Sequence, residues 1–324
     1  MNNYKIVLKS AGAVTQLPDS QKIFGALVTG LSSMKGEKTA SKLVEAVFER
    51  TIHLTLSNLL PLGFLPVPQT YIVEKIAETI SEDEDIKEKR EQVKKRTYIK
   101  EDQLNIILKD PMSCCSIYPY IKEYSGQQLR ASMERDGFGM EGLEKKLYTV
   151  PVTVLRKVNE EKDMESKTDP VSEFQFYLQG NDEQAVNDLL VVIEKMKQEK
   201  APLILGKRAS QGLNKYYISK IICLGQEDLA DSNLGSYLNL GMLLPDQIDF
   251  ENSYLKLFTS ERRPFSMPGG WNQTFPKWFI SFIDCGSVIT LQNRIEQAGE
   301  CVWSPFGEGK NLVFGNAFLY PVEL

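Results

Sequence analysis

The sequence predicts an α+β fold built from two ferredoxin-like (RRM-like) domains, 1–224 and a smaller 225–324. Three observations predict it. Apolar alternation of period two marks strands at 4–9, 52–57, 174–179 and 216–224. Apolar residues at i, i+3, i+4 and i+7 mark helices between them. The order over 1–224 is strand–helix–strand, an interruption, then strand–helix–strand, which is the split βαβ arrangement.

"YKIVLK" (4–9) sets Tyr4, Ile6 and Leu8 on one face, as in a half-buried strand. In "DSQKIFGALVTGLSSM", Phe24, Leu27, Val28 and Leu31 share a helical face, with Ser20 placed to cap it. "TASKLVEAVFER" (39–50) turns Leu43, Val44, Val47 and Phe48 inward. "IHLTLS" (52–57) alternates again, with His53, Thr55 and Ser57 opposite Leu54 and Leu56. The region 58–146 interrupts this pattern and reads as an insertion. It opens with prolines, passes from the acidic "SEDED" to the basic "IKEKREQVKKR", a solvated helix face, and carries one short helix, "EDQLNIILKD". Its end, "SGQQLRASMERDGFGMEG", is polar and glycine-rich. Strands resume at 146–157 and 174–179. A helix follows, with Val186, Leu189, Leu190, Ile193 and Met196 on one face and an Asn181/Gln184 capping box. The last hundred residues hold more strand than helix and read as a second domain of related type with weakened helices.

Composition excludes several chemistries. A single histidine, His53, rules out paired-histidine ribonuclease dyads and HExxH zinc sites, and no Asp/Glu/Cys cluster has metal-ligand spacing. No cofactor is expected. The five cysteines form no CxxC pair, which fits a reducing cytoplasm. The apolar stretch "NLLPLGFLPVP" is too short and too proline-rich to span a bilayer, so no membrane partner is expected. The net charge of −5 is unlike a generic nucleic-acid binder, but the charge is uneven.

That unevenness centres on "LGKRASQGLNKYY" (205–217). It is not a nucleotide P-loop: the spacing is wrong, a helix precedes it and a strand follows. A plain helix-to-strand connector is one reading; a phosphate-contacting loop is the other. Three details favour contact. Gly206 and Gly212 permit close backbone approach; Lys207, Arg208, Lys215 and the Ser210 hydroxyl supply partners; and no acid lies between Ile204 and Cys223. Further candidates are Ser57 and Asn58 beside His53, Arg130 and Arg135 in a projecting arm, and Gly269, Gly270 and Trp271 in "PFSMPGGWN".

"DSQKIFGAL", "LTLSNLLPLGFLPVP", "KKRTYIKEDQL", "KLYTV", "LGKRASQGLNKYY" and "FGNAFLYPV" occur in that order. Together they resemble the RAMP superfamily and, more narrowly, the fourth-subunit family of type III-A CRISPR (Csm) effector complexes. The resemblance implies two ferredoxin-like domains and a β-hairpin thumb, placed in 110–146. It implies binding of the 5′ handle of CRISPR RNA, with Lys22 carried over from the family's first helix. It also implies docking to the large polymerase-like subunit and to the backbone RAMP subunit, target RNA passing near the thumb, and a role in antiviral defence without catalysis. The family's loop reads close to "GG-basic-SSGYG"; here Lys207 replaces the second glycine, Ala209 a serine and Asn214 the last glycine. Asparagine is the next best residue for a left-handed backbone. Two alternatives share parts of this reading: a RAMP-type endoribonuclease that processes CRISPR RNA, with His53 acting beside Lys or Tyr, and a structural subunit whose loops bind only protein.

Overall fold

A computed structural model describes residues 2–80, 83–131, 147–160, 168, 170–225, 235–262, 278–292, 298–305 and 311–324. In chain order the first elements are β1 (Asn2–Ser10), α1 (Ser20–Lys35), α2 (Glu37–Phe48), β2 (Leu54–Leu56), β3 (Leu60–Pro61) and β4 (Phe64–Pro66). Then come α3 (Gln69–Thr79), α4 (Asp83–Lys95), β5 (Tyr98–Lys100), α5 (Leu104–Lys109), β6 (Tyr120–Ala131) and β7 (Leu147–Val158). β8 (Glu173–Gly180), α6 (Glu183–Gln198), β9 (Leu203–Ile204) and β10 (Lys215–Leu224) follow. The remainder is strand: β11 (Ser236–Asn239), β12 (Ile248–Tyr254), β13 (Leu257–Arg262), β14 (Trp278–Ile283), β15 (Val288–Leu291), β16 (Val302–Trp303), β17 (Leu312–Val313) and β18 (Leu319–Val322).

The main sheet runs β2-β8-β1-β10-β9, with β3 also on β8, and its pairs are antiparallel. Its two central strands carry the core: Ile6, Leu8, Phe176 and Leu178 are fully buried. α1 and α6 pack together against it. Gly30 lets them approach, since a Cβ there would lie 2.6 Å from the Val192 side chain. Both helices are capped one residue away from the expected position. Asp19, not Ser20, accepts the Lys22 amide, and Asp182, not Asn181, accepts the Ala185 amide. Ser20 is already the first helical residue. Its buried hydroxyl instead accepts the amide of Met242, tying α1 to the C-terminal part.

The insertion is more ordered than its sequence suggests. Two helices absent from the expectation or read only as a solvated face, α3 and α4, pack beside a second sheet, β4-β5-β6-β7. The 146–157 strand belongs to that second sheet: β7 pairs along its whole length with β6, so the two form a twelve-residue hairpin arm. Arg96, the end of the basic run, is buried. It donates to the carbonyls of Gln92 and Cys115 and lies over the rings of Tyr118 and Tyr120.

No helix occurs among the described residues of 235–324, where weakened helices were expected. β12-β15-β11-β18 form a third sheet. It shares one core with the rest: Phe24 stacks on Phe314 at 4.3 Å, Tyr177 on Phe318 at 5.0 Å, and Leu56 bridges Ala317. Among the described residues no helix is long and apolar enough to cross a membrane.

Candidate nucleic-acid interface

The 205–214 loop is short, exposed and tightly held. Leu205 and Leu213 are buried and anchor its ends, while Gly206, Lys207, Arg208, Ser210 and Gly212 face solvent between them. Lys215, where β10 begins, is half-buried. Three of its residues take left-handed backbone: Arg208 (φ 66°), Gly212 (φ 80°) and Asn214 (φ 55°). A single turn over 209–211 closes with the Gly212 amide on the Ala209 carbonyl.

Asn214 fixes this shape, and the left-handed turn expected of it is present. Its side chain is buried. Oδ1 accepts the Thr15 amide at 2.9 Å, and Nδ2 donates to Thr15 Oγ1 and to the Lys207 carbonyl, each at 2.9 Å. Its backbone amide reaches the Ala13 carbonyl at 3.1 Å. The loop therefore lies flat on 11–15. At Gly12 a Cβ would sit 2.4 Å from the Gly212 carbonyl oxygen, so no other residue fits without displacing the loop.

The arm reaches the same place. Val14 bridges Thr153 of β7. Arg130 on β6 donates to the Gln211 carbonyl at 3.2 Å and pairs across the hairpin with Tyr148, over whose ring the Arg208 guanidinium lies at 5.7 Å. A groove of about 650 Å³ runs from Ala13 along the arm. Lys207, Arg208, Arg130, Ser210 and Lys215 are thus gathered where arm, loop and the end of β1 meet. Positive groups and exposed backbone amides at one place suit a polyanion.

The other candidates lie elsewhere or serve the fold. Lys22 lines a second groove with Gly206, between α1 and α6, but its ammonium is paired to Asp19 at 2.8 Å. Ser57, expected at a surface, is fully buried: its hydroxyl accepts the Tyr177 amide and donates to the Asn58 carbonyl, both at 2.8 Å. Thr55 is buried with it, and a later segment runs along β2: the Leu56 amide donates to the Asn316 carbonyl and the Phe318 amide to the Leu56 carbonyl. Asn58 is half-buried and accepts the Ser20 amide. Arg135, Gly269, Gly270 and Trp271 lie outside the described residues. The sequence singled out Asn214 for its backbone alone, and nothing in it signalled the side-chain bonds to Thr15 or the close approach at Gly12. Among the described residues no cluster of three potential metal ligands occurs.

His53 stands apart from this place. Its carbonyl accepts the Asn181 amide beside Gly180, which faces Asn2 at the start of β1, whereas the loop joins Tyr216 opposite Ser10 at the other end. The length of β1, about 26 Å at ~3.3 Å per residue, separates them.

No protein-family model matches the chain, and no curated protein matches its sequence. Its fold does match solved structures. A chain of the Csm1–Csm4 cassette in complex with pppApApA aligns with TM-score 0.54 at 13% identity, over 100% of this chain and 99% of that one. The same cassette with cA4 gives 0.51 at 15%, over 99% and 98%. The Csm3–Csm4 subcomplex of the type III-A CRISPR-Cas interference complex gives 0.50 at 18%, over 99% and 100%. Csm4 is the component these assemblies share. The chain shares its α+β fold with chains of these Csm4-containing assemblies.

Proposed function

We propose that this chain is a non-catalytic, RNA-binding scaffold subunit of a type III-A CRISPR (Csm) effector complex. It binds the 5′ handle of CRISPR RNA and docks a large Csm1-like subunit to a Csm3-like backbone subunit. The strand order supports reading the main sheet as ferredoxin-like, with β1-α1-β2 and β8-α6-β10 interleaved as two βαβ halves. The β6–β7 arm is the thumb, lying where target RNA pairs with the guide. The observation that carries the reading is the gathering of Lys207, Arg208 and Arg130 on a loop whose backbone is pinned by Asn214. A pinned loop presents its charges without ordering cost when RNA arrives. Arg208 and Lys207 meet phosphates, and Ser210 and the loop amides meet sugars and phosphate oxygens. The guide reads sequence by base pairing while the protein reads backbone. The distance of His53 from the loop supports the absence of cleavage chemistry there.

The complex purified with its partner subunits should retain a small RNA of fixed 5′ end. Lys207→Ala with Arg208→Ala should weaken binding of that RNA and flatten the log–log salt slope by about 1.4, two phosphate contacts at ~0.7 each. An unchanged slope, or RNA with random ends, rejects the reading.

A further inference from the structure

Among the described residues the outer edge of the main sheet is open beyond β9. β9 covers only Lys215 and Tyr216 of β10. From Tyr217 to Leu224 the outward-facing amides and carbonyls of β10 meet no hydrogen-bond partner among the described residues. That is roughly 25 Å of strand edge at ~3.3 Å per residue, and an open edge is a template for another strand.

Three features restrict which strand fits. The first is charge. Lys220 of β10 is exposed on the face of the edge opposite α6, since it pairs with Val7 while Ile218 and Ile221 pair with the core-facing Leu8 and Ile6. The second is a pocket of about 410 Å³ beside the edge, formed by Met196, Tyr217 and Ile218 with Lys197 and Lys200 at its rim. It suits one apolar side chain. The third acts against self-association. A second copy would set lysines against lysines, and the register shift between Val7 and Leu8 leaves Ser219 as an extra residue that bends the edge. The exposed Tyr217 and Ile222 favour a peptide over a nucleic-acid strand.

We propose that the β10 edge accepts an extended segment of a partner protein, alternating acidic and apolar residues, as an added strand. Because alternate side chains of an added strand point to opposite faces, its apolar residues lie on the α6 side, one of them entering the pocket beside Tyr217, and its carboxylates meet Lys220 on the other face. This site is separate from the loop and stands if the RNA reading fails.

Amide hydrogen exchange on the full chain tests it with four probes. They are a ten-residue alternating Glu–Val peptide, its Lys–Val counterpart, the Glu–Val peptide N-methylated on alternate amides, and an eight-nucleotide oligouridine. The Glu–Val peptide should slow exchange over 217–224 at least tenfold, and N-methylation should abolish the effect. The variant Lys220→Glu should weaken the effect of the Glu–Val peptide and strengthen that of the Lys–Val peptide. No slowing by any peptide, slowing that survives N-methylation, or slowing by oligouridine alone overturns the proposal.

Discussion

Asn214 reconciles two demands at one position. The backbone there is left-handed, which favours glycine, and the buried side chain must satisfy the Thr15 amide and the Lys207 carbonyl, which glycine cannot do. Asn214→Ala fails on both counts, adding ~1–2 kcal/mol of torsional strain to the cost of leaving a buried amide and carbonyl unmet. We expect about 3 kcal/mol of destabilisation in denaturant unfolding. Asn214→Gly keeps the torsion and should recover about 1 kcal/mol of that. Equal losses in the two variants would show that the torsion carries no weight. Lys207 is the complementary case: it uses its backbone carbonyl for the fold and keeps its side chain exposed.

Between elements, one carboxylate ties the main sheet to the insertion through three hydrogen bonds. Glu101, just after β5, accepts on the same Oε1 from Lys5 Nζ (2.8 Å) on β1 and from Gln175 Nε2 and Tyr177 OH (2.9 Å each) on β8. Burial alone would raise its pKa, but the hydrogen bonds from Lys5, Gln175 and Tyr177 and the Lys5 charge hold it below the ordinary carboxylate value. A folded-state pKa below the unfolded one stabilises the fold above pH ~4.5, and the contribution is lost as pH falls through the folded value. Glu101→Gln should therefore lower the urea midpoint at pH 7 and flatten its decline between pH 5 and pH 3; an unchanged pH profile would refute this assignment. Elements with their own periodicity were legible in the sequence: β1, α1, α2, β8, α6 and β10 all carry apolar residues at regular spacing. The insertion was less so. α3 buries Tyr71, Ile72 and Ile76, but it follows three prolines; α4 has one fully buried apolar residue, Val93; and β4 and β5 are three residues each, defined by partners distant in sequence. Ser57 misled because alternation reports only that one face is apolar, not whether a later segment covers the other.

For the whole molecule, the largest buried cluster takes residues from both sides of 224, with two smaller clusters beyond it. Phe314, buried and stacked on Phe24, joins the C-terminal part to α1, and Arg50 at the end of α2 binds both Asp246 and Glu300. We expect one cooperative unfolding transition for the full chain. Phe314→Ala should cost about 3–5 kcal/mol and lower that single transition without splitting it. Two separate transitions in calorimetry would show independent domains. At this scale the gathering of Arg130, Arg208 and Gly12 at one point depends on contacts that periodicity cannot register. Only the local run of basic residues and glycines pointed to it.

The bond from Thr15 to Asn214 also sets a clock. The two residues are 199 positions apart, so at roughly 5–20 residues per second the ribosome needs about 10–40 s to deliver the second after the first. Until then the end of β1 has no loop to rest on. A nascent chain thus cannot assemble its cationic loop early, and the loop takes shape only once two-thirds of the polypeptide has been made.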